Sequence, residues 1–360
     1  MEERKRLPDQ RIYQLGAEEL ETVQEYIKTN KDRGWIRDAF TDGGWPIMFV
    51  KNKEGSLTLW VDYWALNEVT MKDRHPPPLI GEGPNSPHTA KYLTKLDIKE
   101  AYYNVRIKKG DEWKITFPSK YGTYEYLVMP LRLWNAKVTF QRWINQTLQL
   151  FIDRFCIVYS DDVLMYLDNL EQHKWDVQNI INSIYHAGMS LKPSKCEFQK
   201  TETEYLGFIV SQQGIKVDKV KTKGIRTLAQ STRKKEIQSF SRFSNFDRQF
   251  IEGFSQIAKP LYRLSEKEKK WEFGKQQSKA FEALIYKLTH TPIFTHYNPK
   301  KPVINETDAS KYVTAGIIAQ PGNDNMLRPI AYRSKSITSA KIILCVLSVL
   351  CVWRLGSTGR

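Results

Sequence analysis

An α+β fold, with a β-sheet backed by helices, follows from three features of the sequence. Apolar runs of hairpin type are interspersed with amphipathic helices, and no regular strand-helix-strand alternation joins them. The chain of 360 residues is also too long for one ordinary domain, so two or three cores are expected.

The elements follow in chain order. Leu20, Val23, Tyr26 and Ile27 recur at helical spacing and Gly34 supplies a stop, which predicts an amphipathic helix leading into Trp35-Ile36. From Trp45 to Asn67 the pattern is extended, with Pro46 to Val50 and Leu57 to Tyr63 joined by a turn over Lys51 to Gly55. Alternation along the second run puts Leu57, Leu59, Val61 and Tyr63 on one face and Thr58, Trp60, Asp62 and Trp64 on the other, a face without a cation. The proline-dense run from Arg74 to Pro87 reads as a loop, followed by the strand Tyr92 to Asp97, which ends in an acid. Phe140, Ile144, Leu148 and Phe151 mark one helix face, and Val177, Ile180, Ile181 and Ile184 another that stops at Gly188. Between those helices, Phe155 to Tyr159 and Val163 to Tyr166 are β-prone runs separated by Ser160, Asp161 and Asp162. Beyond Gly214 the chain turns to basic helices, with Ile237, Phe240, Phe243 and Phe250 at helical intervals. Near Pro292 three short strands begin, around Val303-Ile304, Ile317-Ile318 and Ile330-Ala331. The expected units are a helical lead-in over 1–40 and further units over 41–210, 211–291 and 292–360.

Lys and Arg number 55 against 40 Asp and Glu, a formal charge of +15, so the summed field attracts polyanions. Nucleic acid fits better than a membrane surface, because the cations are spread along the chain and form no single amphipathic basic helix. The charged start, Met1 to Arg6, is followed by no apolar leader core, and the apolar run Ile342 to Trp353 falls short of the roughly 20 residues of a membrane span. Cys156, Cys196, Cys345 and Cys351 have no zinc-binding spacing and read as reduced thiols. An intracellular location, cytoplasm or nucleus, is the expectation.

Adjacent carboxylates at a hairpin between apolar strands repel one another and are costly to desolvate, so a divalent cation is one explanation of Asp161-Asp162. A solvated Asp-rich turn is the other. Asp97, closing an apolar strand upstream, adds a third acid that could converge on the same metals. Three carboxylates around two ions would suit phosphoryl transfer from a nucleoside triphosphate.

Nine groups of residues then occur in one order: Val61-Asp62-Tyr63, Ala65-Leu66-Asn67, Leu96-Asp97-Ile98 with Ala101-Tyr102, Tyr121-Gly122 with Glu125 to Pro130, Asn135-Ala136, Thr139 to Arg142, Tyr159 to Asp162, Ser194 to Phe198, and Tyr205 to Phe208. In this order they resemble gypsy-type retrotransposon reverse transcriptases, from about Leu15 to Ser339. The resemblance implies a right-hand polymerase with fingers and palm over 41–210, a thumb and connection over 211–291, and a truncated RNase H-like α/β domain over 292–360. It implies that Asp97, Asp161 and Asp162 hold Mg²⁺ or Mn²⁺, and that Lys195 helps protonate the leaving pyrophosphate. Tyr102, Arg132 and Gln141 would border the nucleotide, with Tyr102 gating its sugar, and Leu206-Gly207-Phe208 would grip the primer. Read without the family, Tyr102 is better taken as a core tyrosine, and Lys195 is equally a solvated lysine. The implied partners are an RNA template, a DNA primer, an RNA–DNA hybrid and deoxynucleoside triphosphates, with no membrane.

Several positions depart from the family. Thr58 and Trp64 stand where its members usually carry Arg, Arg132 where they carry Gly, and Lys137 where they carry Pro. Neither Thr nor Trp replaces a guanidinium on phosphate, and an Arg in place of a close-approach Gly predicts crowding. Arg132 is also the candidate for a compensating charge. Thr307-Asp308-Ala309-Ser310 resembles the first strand of an RNase H site, yet only Asp324 and no Glu follows, so RNase H activity is expected to be absent. The run from Ile342 reads as a shifted frame, a misplaced gene boundary or a buried helix. Two functions emerge: an RNA-directed DNA polymerase, and a catalytically inactive relic that keeps a basic nucleic-acid-binding surface.

Overall fold

The computed structural model describes residues 14–41, 43–51, 55–73, 90–218, 234–264, 271–290, 293–309, 313–322 and 324–336. Expectations for residues 1–13, for the tip of the first hairpin, for the proline-dense loop, for the basic stretch 219–233, for Ser310 and for the run Ile342 to Trp353 with Cys345 and Cys351 lie outside the described residues.

Helix α1 (Ala17–Asp32) begins where Glu19 reaches back to the Gly16 N–H at 2.8 Å, and buries Val23 and Ile27 as the periodicity predicts. It packs on β1 (Ile36–Asp38) and on the hairpin β2 (Ile47–Lys51) and β3 (Leu57–Val61). The alternation in β3 holds: Leu59, Val61 and the following Tyr63 are buried, while Trp60 is half-exposed. Asn67 was expected in extended chain, but residues from Trp64 form a short helix, α2 (Trp64–Val69). The Asp62 carboxylate accepts a hydrogen bond from the Trp64 N–H at 2.9 Å, and Leu66 is buried, so a local side-chain bond and one apolar contact turn the chain.

The next strand, β4 (Tyr92–Asp97), lies inside a four-stranded antiparallel sheet. Two further strands, β5 (Thr116–Ser119) and β6 (Gly122–Tyr126), complete a three-stranded sheet with β1, in which Phe117, Tyr124 and Tyr126 meet Trp45, Leu59 and Tyr63. Helix α3 (Ala136–Thr147) buries Phe140 and Ile144 and is followed by β7 (Cys156–Tyr159) and β8 (Asp162–Leu167). Helix α4 (Leu170–His186) starts with the Asn169 side chain accepting from Gln172 N–H, and buries Val177, Ile180 and Ile184. With β9 (Glu197–Lys200), the four-stranded sheet has the order β7-β8-β4-β9, and its core of Leu96, Phe140, Ile144, Val163, Met165 and Ile180 joins the sheet to α3 and α4. Cys156 is a free thiol wholly buried in that core, which pushes its ionisation far up.

A further antiparallel sheet comprises β10 (Glu202–Tyr205), β11 (Phe208–Ser211) and β12 (Gly214–Val217). It spans the boundary expected at 210/211, because Phe208 and Val217 share one apolar cluster with Phe250 and Phe294. Helices α5 (Lys234–Phe246), α6 (Phe254–Arg263) and α7 (Lys275–Thr289) then pack around Ile237, Phe240, Phe254, Leu261 and Leu284. The last described sheet, β13 (Ile304–Ala309), β14 (Val313–Pro321) and β15 (Leu327–Ser336), is an antiparallel meander as the three apolar runs predict. It is bonded to the helical unit, since Arg248 donates to the Ser334 carbonyl and Ser255 N–H donates to the Ser334 hydroxyl at 2.8 Å.

Candidate active site

Asp97, Asp161 and Asp162 lie at one end of the four-stranded sheet. Tyr159 and Asp162 are register partners, so the connection is a two-residue loop of Ser160 and Asp161. The sequence suggested both acids at a tip, whereas Asp162 is the first residue of β8 and only Asp161 occupies the turn. On its other side Asp162 pairs in register with Asp97 at the end of β4, and the Ile98 N–H donates to the Asp161 carbonyl at 2.8 Å. Backbone pairing alone therefore brings the three acids of separate strand ends side by side.

The loop that carries them is held from beneath. Ser160 has a positive φ of 54°, a conformation unfavourable for an L-residue by roughly 1–2 kcal/mol. Gln141, from α3, offsets this: its Oε1 accepts the Ser160 N–H at 2.7 Å while its Nε2 donates to the Val158 carbonyl at 3.1 Å. Gln141 is buried, so these bonds are shielded from water. The Tyr102 hydroxyl and the Ser160 hydroxyl are 3.0 Å apart, and the Tyr102 ring is 5.8 Å from that of Phe140. Tyr102 is thus half-buried, packed against the core with its hydroxyl against the carboxylate turn.

Electrostatics mark Asp162 as the strained member. Burial, and then the charges of Asp161 and Asp97, push its carboxyl up to about 6 against relief from Lys95 and Lys195. Lys195 ends a 3-10 turn over Pro193–Lys195 and sets its Nζ 3.2 Å from Asp97 Oδ2. The hydrogen bond and charge of Asp97 raise the proton affinity of the Lys195 amine, whose side chain is 56% exposed. Hard oxygen donors of this kind suit a divalent cation, and a cation would relieve the repulsion that raises Asp162. Among the described residues, no three His, Cys, Asp or Glu side chains close around a single point. One Asp97 oxygen, Oδ2, is engaged by Lys195.

Beside the carboxylates, the loop before α3 changes the reading of the first hairpin. Arg132 takes a positive φ of 76°, which explains why glycine suits this position better than a close backbone approach does. The expected crowding does not occur: the Arg132 side chain is exposed and its guanidinium stacks 3.5 Å over the Trp60 ring. The face of β3 that carries no cation of its own therefore receives one from the loop. Asn67 fixes that loop by donating to the Arg132 carbonyl at 2.8 Å and accepting the Trp134 N–H at 2.7 Å. Nothing in the strand pattern announced this pairing, although the sequence marks Arg132 as a departure from the family and Trp60 as part of a face without a cation.

Leu206 and Gly207, with φ of 53° and 78°, form the two-residue turn between β10 and β11. Leu206 packs with Tyr205, whose hydroxyl donates to the Asp162 carbonyl at 3.4 Å, so this turn is tied to the carboxylate strand. Phe208 is buried behind the turn. Asp308 is remote in sequence, exposed on β13 and paired in register with Ala315.

Comparison with known proteins agrees with this geometry. Residues 50–210 match the family model described as reverse transcriptase (RNA-dependent DNA polymerase), and residues 273–348 match that of the RNase H-like domain found in reverse transcriptase. The Tf2-3 and Tf2-7 transposon polyproteins of Schizosaccharomyces pombe are each 29% identical over 98% of this chain. The chain spans 27% of the length of those relatives. Among solved structures, a foamy viral protease-reverse transcriptase in complex with double-stranded DNA superposes with a TM-score of 0.79 at 21% identity, over 92% of this chain and 58% of that one. The same kind of protein in complex with an RNA/DNA hybrid gives 0.80 at 21% identity, over 96% of this chain and 47% of that one. These likenesses establish the polymerase fold, and no helix among the described residues is long and apolar enough to cross a membrane.

Proposed function

Because the chain belongs to the reverse transcriptases of gypsy-type long-terminal-repeat retrotransposons, we propose that it extends a DNA primer along an RNA or DNA template by nucleotidyl transfer. The observation that carries this reading is the backbone-enforced grouping of Asp97, Asp161 and Asp162, with Gln141 buttressing the turn between them. The family works with divalent metal. We assign Mg²⁺ or Mn²⁺ to these three carboxylates, where it would polarise the primer 3′-hydroxyl and neutralise the triphosphate.

The chain's own groups take the following parts. Lys195, held protonated beside Asp97, supplies a proton to the departing pyrophosphate. Tyr102, fixed by Ser160 and Phe140, presents its ring where a 2′-hydroxyl would have to enter. Arg132, stacked on Trp60, supplies the guanidinium for triphosphate that Thr58 does not. The Leu206-Gly207 turn steadies the primer end, and 41–210, 211–291 and 292–360 act as fingers with palm, thumb with connection, and an RNase H-like unit. Template, primer, hybrid and deoxynucleoside triphosphates are the substrates, and the setting is inside the cell.

Extension of an oligo-dT primer on poly-rA, with dTTP and Mg²⁺ or Mn²⁺, tests this. Incorporation that Asp161→Asn abolishes is the expected result. Retained hybrid binding with no incorporation favours the second reading, an inactive relic, which the Thr58 and Trp64 departures support.

A further inference from the structure

Trp64 and Trp134 are 68% and 52% exposed, although tryptophan gains more than most side chains from burial. Both sit beside Asn67. Trp64 is one helical turn before Asn67 on α2, and Trp134 donates its backbone N–H to the Asn67 side chain. A cation accompanies the group on each side: the Lys72 ammonium is 4.4 Å from the Trp134 ring centroid, and the Arg132 guanidinium lies over Trp60. The Lys72 segment is itself fixed, since Asn135 donates to the Met71 carbonyl at 2.9 Å and accepts the Asp73 N–H at 3.0 Å. The indoles are therefore displayed on a pinned backbone, with Lys72 over the Trp134 ring and Arg132 over the nearby Trp60.

We propose that Trp64 and Trp134 form a stacking platform for unpaired nucleic-acid bases, with Lys72 on the adjoining phosphates, so that this chain holds its single-stranded template by ring contacts. The proposal deepens the polymerase reading and rests on it for the identity of the strand as template. Flat, exposed indoles offer a π-face that a base accepts only when it is unpaired, whereas a duplex presents phosphates and base edges. Lys72, over one face of the Trp134 ring, leaves the other face for a base and favours a polyanion over an apolar protein surface, and the chain's charge of +15 points the same way. Ring stacking also differs in kind from an arginine on phosphate, because it releases no counterions and resists salt.

The test uses the full chain without metal or nucleotide. Fluorescence anisotropy follows binding of a labelled 12-mer of oligo-dA or oligo-rA, and of a blunt hairpin duplex, at two salt concentrations. Stacking predicts that Trp64→Ala with Trp134→Ala weakens single-strand binding about tenfold or more, leaves duplex binding within twofold, and leaves the salt slope unchanged. Phe at both positions is expected to restore most of the affinity. Single-strand affinity within twofold of the parent, or an equal loss on the duplex, overturns the platform. A chain that stacks single strands yet extends no primer would sink the polymerase reading and spare the platform. Primer extension with an unaffected double variant would do the reverse.

Discussion

Replacing Asp162 by Asn removes the most strained charge of the carboxylate group while keeping its shape. Folding moves this carboxyl from 3.8 up to about 6, so between those values the folded chain binds more protons than the unfolded one. The sign follows: this group costs stability that grows as pH rises through the window, is complete above about 6, and vanishes below the unfolded value. At full strength a displacement from 3.8 to about 6 corresponds to about 3 kcal/mol, which solvent screening of the half-exposed group reduces to about 1–2 kcal/mol. Without metal at pH 7.5, Asp162→Asn is therefore expected to raise the melting temperature by about 2–4 °C, and to do so less at pH 5. Mn²⁺ should stabilise the parent chain, since a ligand that binds only the folded state adds to its stability, and should stabilise the variant far less. Differential scanning fluorimetry with and without EDTA measures both. A variant that melts below the parent in EDTA at pH 7.5, or gains as much from Mn²⁺, would refute the view that repulsion at Asp162 is what the cation relieves.

Other consequences are separable. Arg132→Gly should relieve the positive φ and raise stability by about 1 kcal/mol, while raising KM for deoxynucleotides about tenfold or more with the loss of the guanidinium; thermal melts and steady-state extension read the two opposed effects. Gln141→Leu leaves the Ser160 N–H and the Val158 carbonyl without their partner in a buried place and should cost about 2–3 kcal/mol in urea unfolding, along with most of the extension activity. For the C-terminal unit, a labelled RNA–DNA hybrid should remain uncut in Mg²⁺ or Mn²⁺. Cleavage dependent on Asp308 would show that carboxylates outside the recognised pattern complete that site.

Where periodicity was strong, sequence and structure agree: Val23 and Ile27 in α1, Phe140 and Ile144 in α3 and the Leu59-Val61-Tyr63 face of β3 are buried as their spacing requires. The acids were legible as residue types, and Asp97 with Asp161-Asp162 is where the sheet places them. The turn was less legible, since a tip of three residues and one of two differ only in the pairing of Asp162 with Tyr159, which the β7–β8 register decides. Helix α2 escaped notice because it is six residues long and depends on one bond from Asp62. The cation of the first hairpin escaped for a different reason. Reading β3 alone shows a face of Thr58, Trp60 and Asp62, while the guanidinium arrives from a loop about seventy residues downstream, a tertiary contact that no local pattern encodes. For the same reason the sheet β10-β11-β12 and Phe294 join segments that composition alone would separate at Gly214 and Pro292.

Single-turnover extension of a primed RNA template tests the central claim most directly, run side by side for the parent chain and for Asp97→Asn, Asp161→Asn, Asp162→Asn and Asp308→Asn. The account predicts metal-dependent incorporation by the parent, a loss of about a thousandfold or more for each of the first three variants, and an unchanged rate for the fourth. No incorporation by the parent under any divalent cation, or incorporation that survives Asp161→Asn, would contradict it.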